Sequence, residues 1–369
     1  MASRDTADLP PPQHHGDDPE EALEFPFSEA PGPGQLMPID DRISWLRMPL
    51  PFQRLDHINL YVLDDGEAYT LVDSGLATDE TRAIWRQLLA GPLSDKPVGR
   101  IVITHFHPDH VGLAGWLCQR TGAAIWMTRT EFFFARVFQL EATPQPPQAA
   151  LDFFERAGFS DQAMDKLKAA RYDNYSRATS KLPLDYHRLK AGDRLENGDR
   201  TWTIRIGSGH SPEHACLYEA EAGILIAGDQ ILPRITSNVG VYPGEPLANP
   251  LADWLDSIDR FSKLPEKTLV LPAHHGPFIG LRKRLEEIRG SHIRRLKALS
   301  KHCAEPRSAI EAFPVLFKRR LKGMDFILAT AESLAHLHYL EAGGFVARRI
   351  DGPVHRFQTV RPYDNGAGG

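Results

Sequence analysis

Apolar residues recur along the chain in two alternating rhythms. Short, often β-branched runs at 58–63, 68–72, 101–103, 124–127, 201–206, 215–219, 223–226 and 268–271 have the length and make-up of strands, and Asp64-Asp65-Gly66 is a turn joining the first two. Between them, 78–90, 111–119 and 250–264 read as helices; Thr78 supplies N-cap chemistry and Ile84, Trp85, Leu88 and Leu89 share a face. Strands and helices in alternation predict a layered α/β core. Two stretches break the rhythm. Residues 129–185 carry Phe132, Phe133, Phe134, Phe138, Phe153, Phe154 and Phe159 on predicted helices interrupted by Pro144, Pro146 and Pro147. They read as a helical insertion packed on the core, or as a lid building an apolar acyl pocket, with Arg171, Tyr172, Tyr175 and Arg177 as polar contacts. From Arg282 a basic helix leads to helical segments at 308–317 and 323–339, then to an alternating stretch, 345–360, that turns at Asp351-Gly352 as a hairpin.

Length and charge refine this picture. At 369 residues the chain exceeds one average domain, so a large domain over 39–290 and a small one over 291–369 are expected. Residues 1–38, with Pro10-Pro11-Pro12, Pro31-Gly32-Pro33-Gly34 and the acids Asp17, Asp18, Glu20 and Glu21, are too poor in apolar surface to offset ordering and are expected to be disordered or loosely draped. His14 and His15 within them read as a solvated pair. From Leu281 onward 17 Lys and Arg face 9 Asp and Glu, a surplus of +8 that leaves −13 for the rest, so the tail reads as a separate module. No apolar run is long enough for a membrane span, and the first thirty residues lack a secretory pattern. Cys118, Cys216 and Cys303 are too few and scattered for a disulfide framework, which points to a reducing cytoplasm.

The densest chemistry follows the run Ile101, Val102, Ile103. Within six positions stand His105, His107, Asp109 and His110, with Pro108 marking a turn toward the next helix. Three imidazoles and a carboxylate are costly to desolvate together unless a cation gathers them, and their N and O donors suit zinc, iron or manganese. His105 and His107, two apart in extended chain, point to one side; Asp109 and His110 follow where the backbone turns and can aim at a second point.

The segment Thr104-His105-Phe106-His107-Pro108-Asp109-His110 matches the T-H-x-H-x-D-H signature of the metallo-β-lactamase superfamily, and over 40–290 the chain most resembles the glyoxalase II-type hydrolases of that family. The resemblance implies a four-layer αββα sandwich, here with a helical insertion. It also implies three donors downstream: His210 in Gly209-His210-Ser211-Pro212, Asp229 after the apolar run 224–227, and His274 in Leu271-Pro272-Ala273-His274. On that pattern His105, His107 and His210 hold one metal, Asp109, His110 and His274 a second, and Asp229 bridges them. Asp73, in Val72-Asp73-Ser74-Gly75, is expected beneath the metals, orienting ligands, alongside a turn-forming role. His214 is expected outside the donor set in a hydrogen-bonded role, and His274 is favoured over its neighbour His275. Gly207, Gly209 and Gly228 beside the donors allow tight turns.

What the resemblance implies is a hydrolase with two zinc ions, iron or manganese being the alternatives, whose bridging hydroxide attacks a small-molecule thioester, with Asp109 and Asp229 as catalytic carboxylates. Lactone hydrolysis is the neighbouring reading. A mononuclear-iron persulfide dioxygenase and a nucleic-acid-processing enzyme represent other classes. His107 stands where flavodiiron proteins place Glu, which argues against oxygen reduction at a diiron centre. Helices followed by a two-stranded wing resemble the small winged-helix domain found behind some relatives. Without clear base-reading residues, a homodimer contact or packing on the catalytic domain ranks ahead of nucleic-acid binding.

Overall fold

Strands whose every residue is buried need cover on both faces, and that requirement organises this molecule. The computed structural model describes residues 23–52, 55–318, 321–350 and 352–364. Strands β1 (Leu36–Pro38), β2 (Ile43–Phe52), β3 (Leu55–Asp64), β4 (Tyr69–Val72), β5 (Val98–Val102), β6 (Ala124–Thr128) and β7 (His187–Leu189) lie side by side in one sheet. Strands β8 (Arg194–Asn197), β9 (Arg200–Gly207), β10 (His214–Glu219), β11 (Ile224–Gly228) and β12 (Leu269–Pro272) form a second, and β13 (Val346–Ile350) pairs with β14 (His355–Thr359) in the expected hairpin. All residues of β4, β10 and β11 are buried. The helices are α1 (Asp79–Ala90), α2 (Pro108–Val111), α3 (Ala114–Thr121), α4 (Arg129–Leu140), α5 (Gln148–Arg156), α6 (Asp161–Ala169), α7 (Asn174–Arg177), α8 (Pro250–Phe261), α9 (Leu281–His302), α10 (Phe313–Leu316) and α11 (Met324–Ala342).

Three apolar layers hold the elements together, as the four-layer sandwich requires. Trp45, Tyr61, Val102, Trp202, Leu217 and Ile226 fill the space between the sheets. Leu60, Leu71, Trp85, Leu88, Leu117 and Phe132 join the outer face of the first sheet to α1, α3 and α4. On the other side, the second sheet, α8, α9, α11 and the hairpin share one core that includes Trp254, Leu296, Leu337 and Phe357. The C-terminal unit thus shares its core with the second sheet, and α9 runs straight through the boundary expected at 290. No described helix is long and apolar enough to cross a membrane.

Three sequence expectations need correction. Within the segment expected to be disordered, residues 1–22, with His14 and His15, lie outside the described residues, but the rest is placed: Glu24 pairs with Ile279, Phe27 packs edge-on against Trp45 and β1 joins β2. Its few aromatic residues anchor it despite the proline and glycine. The helix expected over 308–317 is only the short α10. Finally, the phenylalanines of 129–185 do not form one lid. The insertion is helical, but Phe153, Phe154 and Phe159 are buried in the core shared with the C-terminal unit, Phe159 meeting Phe326 at 5.1 Å. Phe132 stacks on Tyr186 and Phe133 is half-exposed. Only Phe134 and Phe138 turn toward the His107 region, where they meet Phe106 and Tyr175.

Candidate metal centre

Strands β4, β5, β11 and β12 include both parallel pairings next to the site, so the backbone segments that follow them emerge at one end of the sandwich. Asp73 follows β4, His105 to His110 follow β5, Asp229 follows β11 and His274 follows β12. His210 comes from the loop between β9 and β10. Gly209 makes that loop possible: its φ is +105°, and a Cβ there would stand 2.5 Å from the Trp254 side chain.

All seven predicted donors converge, in two sets. His105, His107, His210 and Asp229 form one and Asp109, His110 and His274 the other, with ligand atoms within 4.8 Å of one another in each. Asp229 faces both: its Oδ2 is 3.3 Å from His210 Nε2 and 3.5 Å from His110 Nε2, while Oδ1 is 3.3 Å from His274 Nε2. His105 Nε2 and His107 Nδ1 lie 2.9 Å apart, aimed at a common point. His110 Nε2, His210 Nε2 and Asp229 Oδ1 are buried without a hydrogen-bond partner. Buried orphans of this kind are expensive, and here they are all N and O donors facing one another. The residues fit divalent zinc, iron or manganese.

Surrounding acceptors fix the tautomers. His210 Nδ1–H donates to Asn238 O at 2.8 Å and His274 Nδ1–H to His57 O at 2.9 Å; carbonyls only accept, so each ring turns Nε2 inward. His110 Nδ1–H donates to Asp73 Oδ2 at 2.8 Å. The Thr104 hydroxyl gives its proton to Asp73 and lies 3.1 Å from His105 Nδ1, which it can only accept from. Asp73 thus binds His110 and Thr104 directly, at a φ of +64° that Asp tolerates.

Charge follows the same division. Burial, reinforced by neighbouring imidazoles, holds His105 well below the ordinary histidine range and His107 at about 3, which leaves their lone pairs free. For His110 burial pulls the other way, but the carboxylates of Asp73, Asp109 and Asp229 win and raise it. Against a similar burial effect, His110 and His274 hold Asp109 down at about 2. A bound cation takes the place of the proton in such pairs.

His214 stays outside the donor sets: it stacks on His105 at 4.7 Å and accepts the Asp229 N–H at 3.2 Å. Cys216, which from sequence has no tie to the histidines, lies 3.5 Å from His214 Nδ1. His275 is likewise outside, at a φ of +69°. Sequence reasoning missed Asn238 and Glu131. Asn238 lies in the 231–249 loop, and its Nδ2 donates to Leu328 O in α11 at 3.3 Å. Glu131, in the first turn of α4, is fully buried, and burial pushes its carboxyl up to about 7 although two backbone N–H groups bind it. No local motif marks either residue.

Comparison with known proteins agrees with this geometry. Residues 54–274 match the family described as the metallo-beta-lactamase superfamily, and 296–360 match the metallo-beta-lactamase-like C-terminal domain. A beta-lactamase domain protein from Burkholderia ambifaria of known structure is 39% identical, covers 92% of this chain and 98% of its own, and superposes with a TM-score of 0.85. The probable metallo-hydrolase YqjP of Bacillus subtilis (strain 168) is 25% identical over 341 residues, 86% of this chain and 97% of its own. The hydroxyacylglutathione hydrolase of Thermosynechococcus vestitus is 33% identical over 86 residues, 23% of this chain and 31% of its own.

Proposed function

Because the chain belongs to the metallo-beta-lactamase superfamily, we propose that it is a binuclear metal-dependent hydrolase of a thioester or related ester. The observation that carries this reading is the place of Asp229, whose carboxylate lies 3.3 Å from His210 in one donor set and 3.3 Å from His274 in the other. Two bound divalent cations, zinc first and iron or manganese as alternatives, supply Lewis acidity and lower the pKa of water from about 15.7 to about 7. His105, His107 and His210 would hold one, Asp109, His110 and His274 the other, with Asp229 between.

The chain's own groups complete the chemistry. Asp109, whose Oδ2 lies 3.5 Å from His274 Nε2 while the side chain keeps 18% of its surface exposed, is the carboxylate that would take up or relay a proton between the site and solvent. Beside His107, the rings of Phe106, Phe134, Phe138 and Tyr175 offer an apolar wall for an acyl group. Protein nucleophiles have little support: burial drives the Cys216 thiol well up and Cys118 and Cys303 to about 11. The short likeness to a hydroxyacylglutathione hydrolase favours thioesters over lactones.

We also read the winged-helix-like C-terminal unit as a packing element. Several basic residues from Leu281 onward are spent internally, Arg284 on the carbonyls of Leu232 and Ile235, Arg295 on Glu332, Arg356 on Glu311. A panel of thioesters and lactones, assayed with metal-quantified protein, tests the activity. Turnover should track metal content, and Asp229→Ala should lower both together, the rate by roughly 100-fold or more. One iron per chain with oxygen uptake on a persulfide, and no ester turnover, would overturn the hydrolase reading.

A further inference from the structure

Glu131 is a buried carboxylate with no part in the chemistry above, and its two oxygens have separate tasks. Oε2 accepts the N–H of Phe106 at 3.0 Å, and Oε1 accepts the N–H of Glu213 at 2.7 Å. Phe106 lies between His105 and His107; Glu213 lies three residues past His210. One side chain therefore ties together the two loops that carry all three histidines of one donor set. Both residues are also held at their carbonyls. Tyr175, in α7, donates its hydroxyl to Phe106 O at 2.6 Å, Thr128 donates to Glu213 O at 2.7 Å, and Glu213 Oε2 accepts the N–H of Thr130 at 3.0 Å.

The chemistry of the position selects this residue. Two convergent N–H donors need two acceptor atoms on one side chain, with no donor of its own; a carboxylate supplies that and a carboxamide does not. Asp offers the same group one methylene shorter. Burying a carboxylate is costly unless it is hydrogen-bonded, and at zero exposure the Phe106 and Glu213 N–H groups offset that cost.

We propose that Glu131 is a positioning residue for the three-histidine half of the metal centre, fastening the His105–His107 segment to the His210 loop, with Tyr175 as its partner at the Phe106 carbonyl. The insertion thereby serves as a brace for ligands. This rests on the reading of those histidines as metal ligands.

Cobalt(II) is the probe, because its visible spectrum reports the ligand geometry and chelator competition reports affinity without any turnover. Glu131→Gln, nearly isosteric, turns an amide NH2 against one of the two N–H donors. It should weaken cobalt binding at the three-histidine half by roughly 10- to 100-fold and shift the visible bands, with the other half unchanged. Should that variant not fold, Tyr175→Phe removes a single hydroxyl and should shift the same bands by less. Wild-type spectra and affinities in both variants would overturn the proposal. A wild-type protein that takes up no cobalt would instead overturn the metal-centre reading itself, and the inference with it.

Discussion

In one half of the metal centre, His110 is aimed by Asp73 at the end of β4 and His274 by the carbonyl of His57 in β3, both in the first sheet. In the other half, His210 is aimed by the carbonyl of Asn238, on a loop pinned to α11, while the peptide between His105 and His107 is held by Glu131 and Tyr175 of the insertion. The first half is fixed by strands buried between layers. The second has His105 just past the end of β5, held through Thr104, but depends in addition on segments added to the sandwich. Rigid strand ends position ligands with little help, so a change in the insertion or in the C-terminal unit should be felt by the three-histidine half and not by its neighbour.

Asp73→Asn should have the largest effect that separates the halves. Asn accepts the same positive φ, so the backbone is spared. A carboxamide has only one acceptor oxygen for the Thr104 N–H, the Thr104 hydroxyl and His110 Nδ1–H, which all converge on Asp73. Metal affinity at the Asp109, His110 and His274 half should fall by up to roughly 100-fold, and less at the other half, where Asp73 reaches His105 only through the Thr104 hydroxyl. Zinc competition with a graded series of chelators checks this. Equal loss in both halves would erase the contrast between them.

The same contrast explains what is legible in the sequence. Every donor is a side chain in a local motif, and Asp73 sits in Val72-Asp73-Ser74-Gly75, so all eight can be named from short stretches of sequence alone. Asn238 and His57 act through main-chain carbonyls, which carry no residue identity, and Glu131 acts on N–H groups 25 and 82 positions away. The fold divides in a similar way. Strands that contain a short apolar run rich in β-branched residues, such as β5 and β11, are readable, but β2 is not. It carries Pro49 and Pro51, residues that argue against a ladder, and the pairing with β3 shifts register there to accommodate them. Long-range aromatic anchoring likewise places residues 24–38 against a local composition that suggests disorder.

A smaller effect is expected from Asn238→Ala. The His210 contact is made by the main chain and survives, and Arg284 still holds Leu232 O and Ile235 O while Val241 N–H still reaches Ala331 O. What is lost is the Nδ2 bond to Leu328 O and the Oδ1 acceptor for Tyr242, about 1 kcal/mol each. If a part of that reaches His210, affinity at the three-histidine half drops by about tenfold or less, with no change in the other half. Cobalt spectra that respond at the Asp109 half instead would mean the C-terminal helix communicates by another route.

Tyr242→Phe divides that coupling further and should have the smallest effect. Its hydroxyl donates to Asn238 Oδ1 at 2.8 Å from a side chain more than a third exposed, so water can replace part of the bond. The expected loss is about two- to threefold in affinity at the same half. A response as large as that of Asn238→Ala would locate the whole restraint in the tyrosine and leave the Leu328 bond with none. No response would assign it to α11, making the C-terminal helix itself the support behind His210.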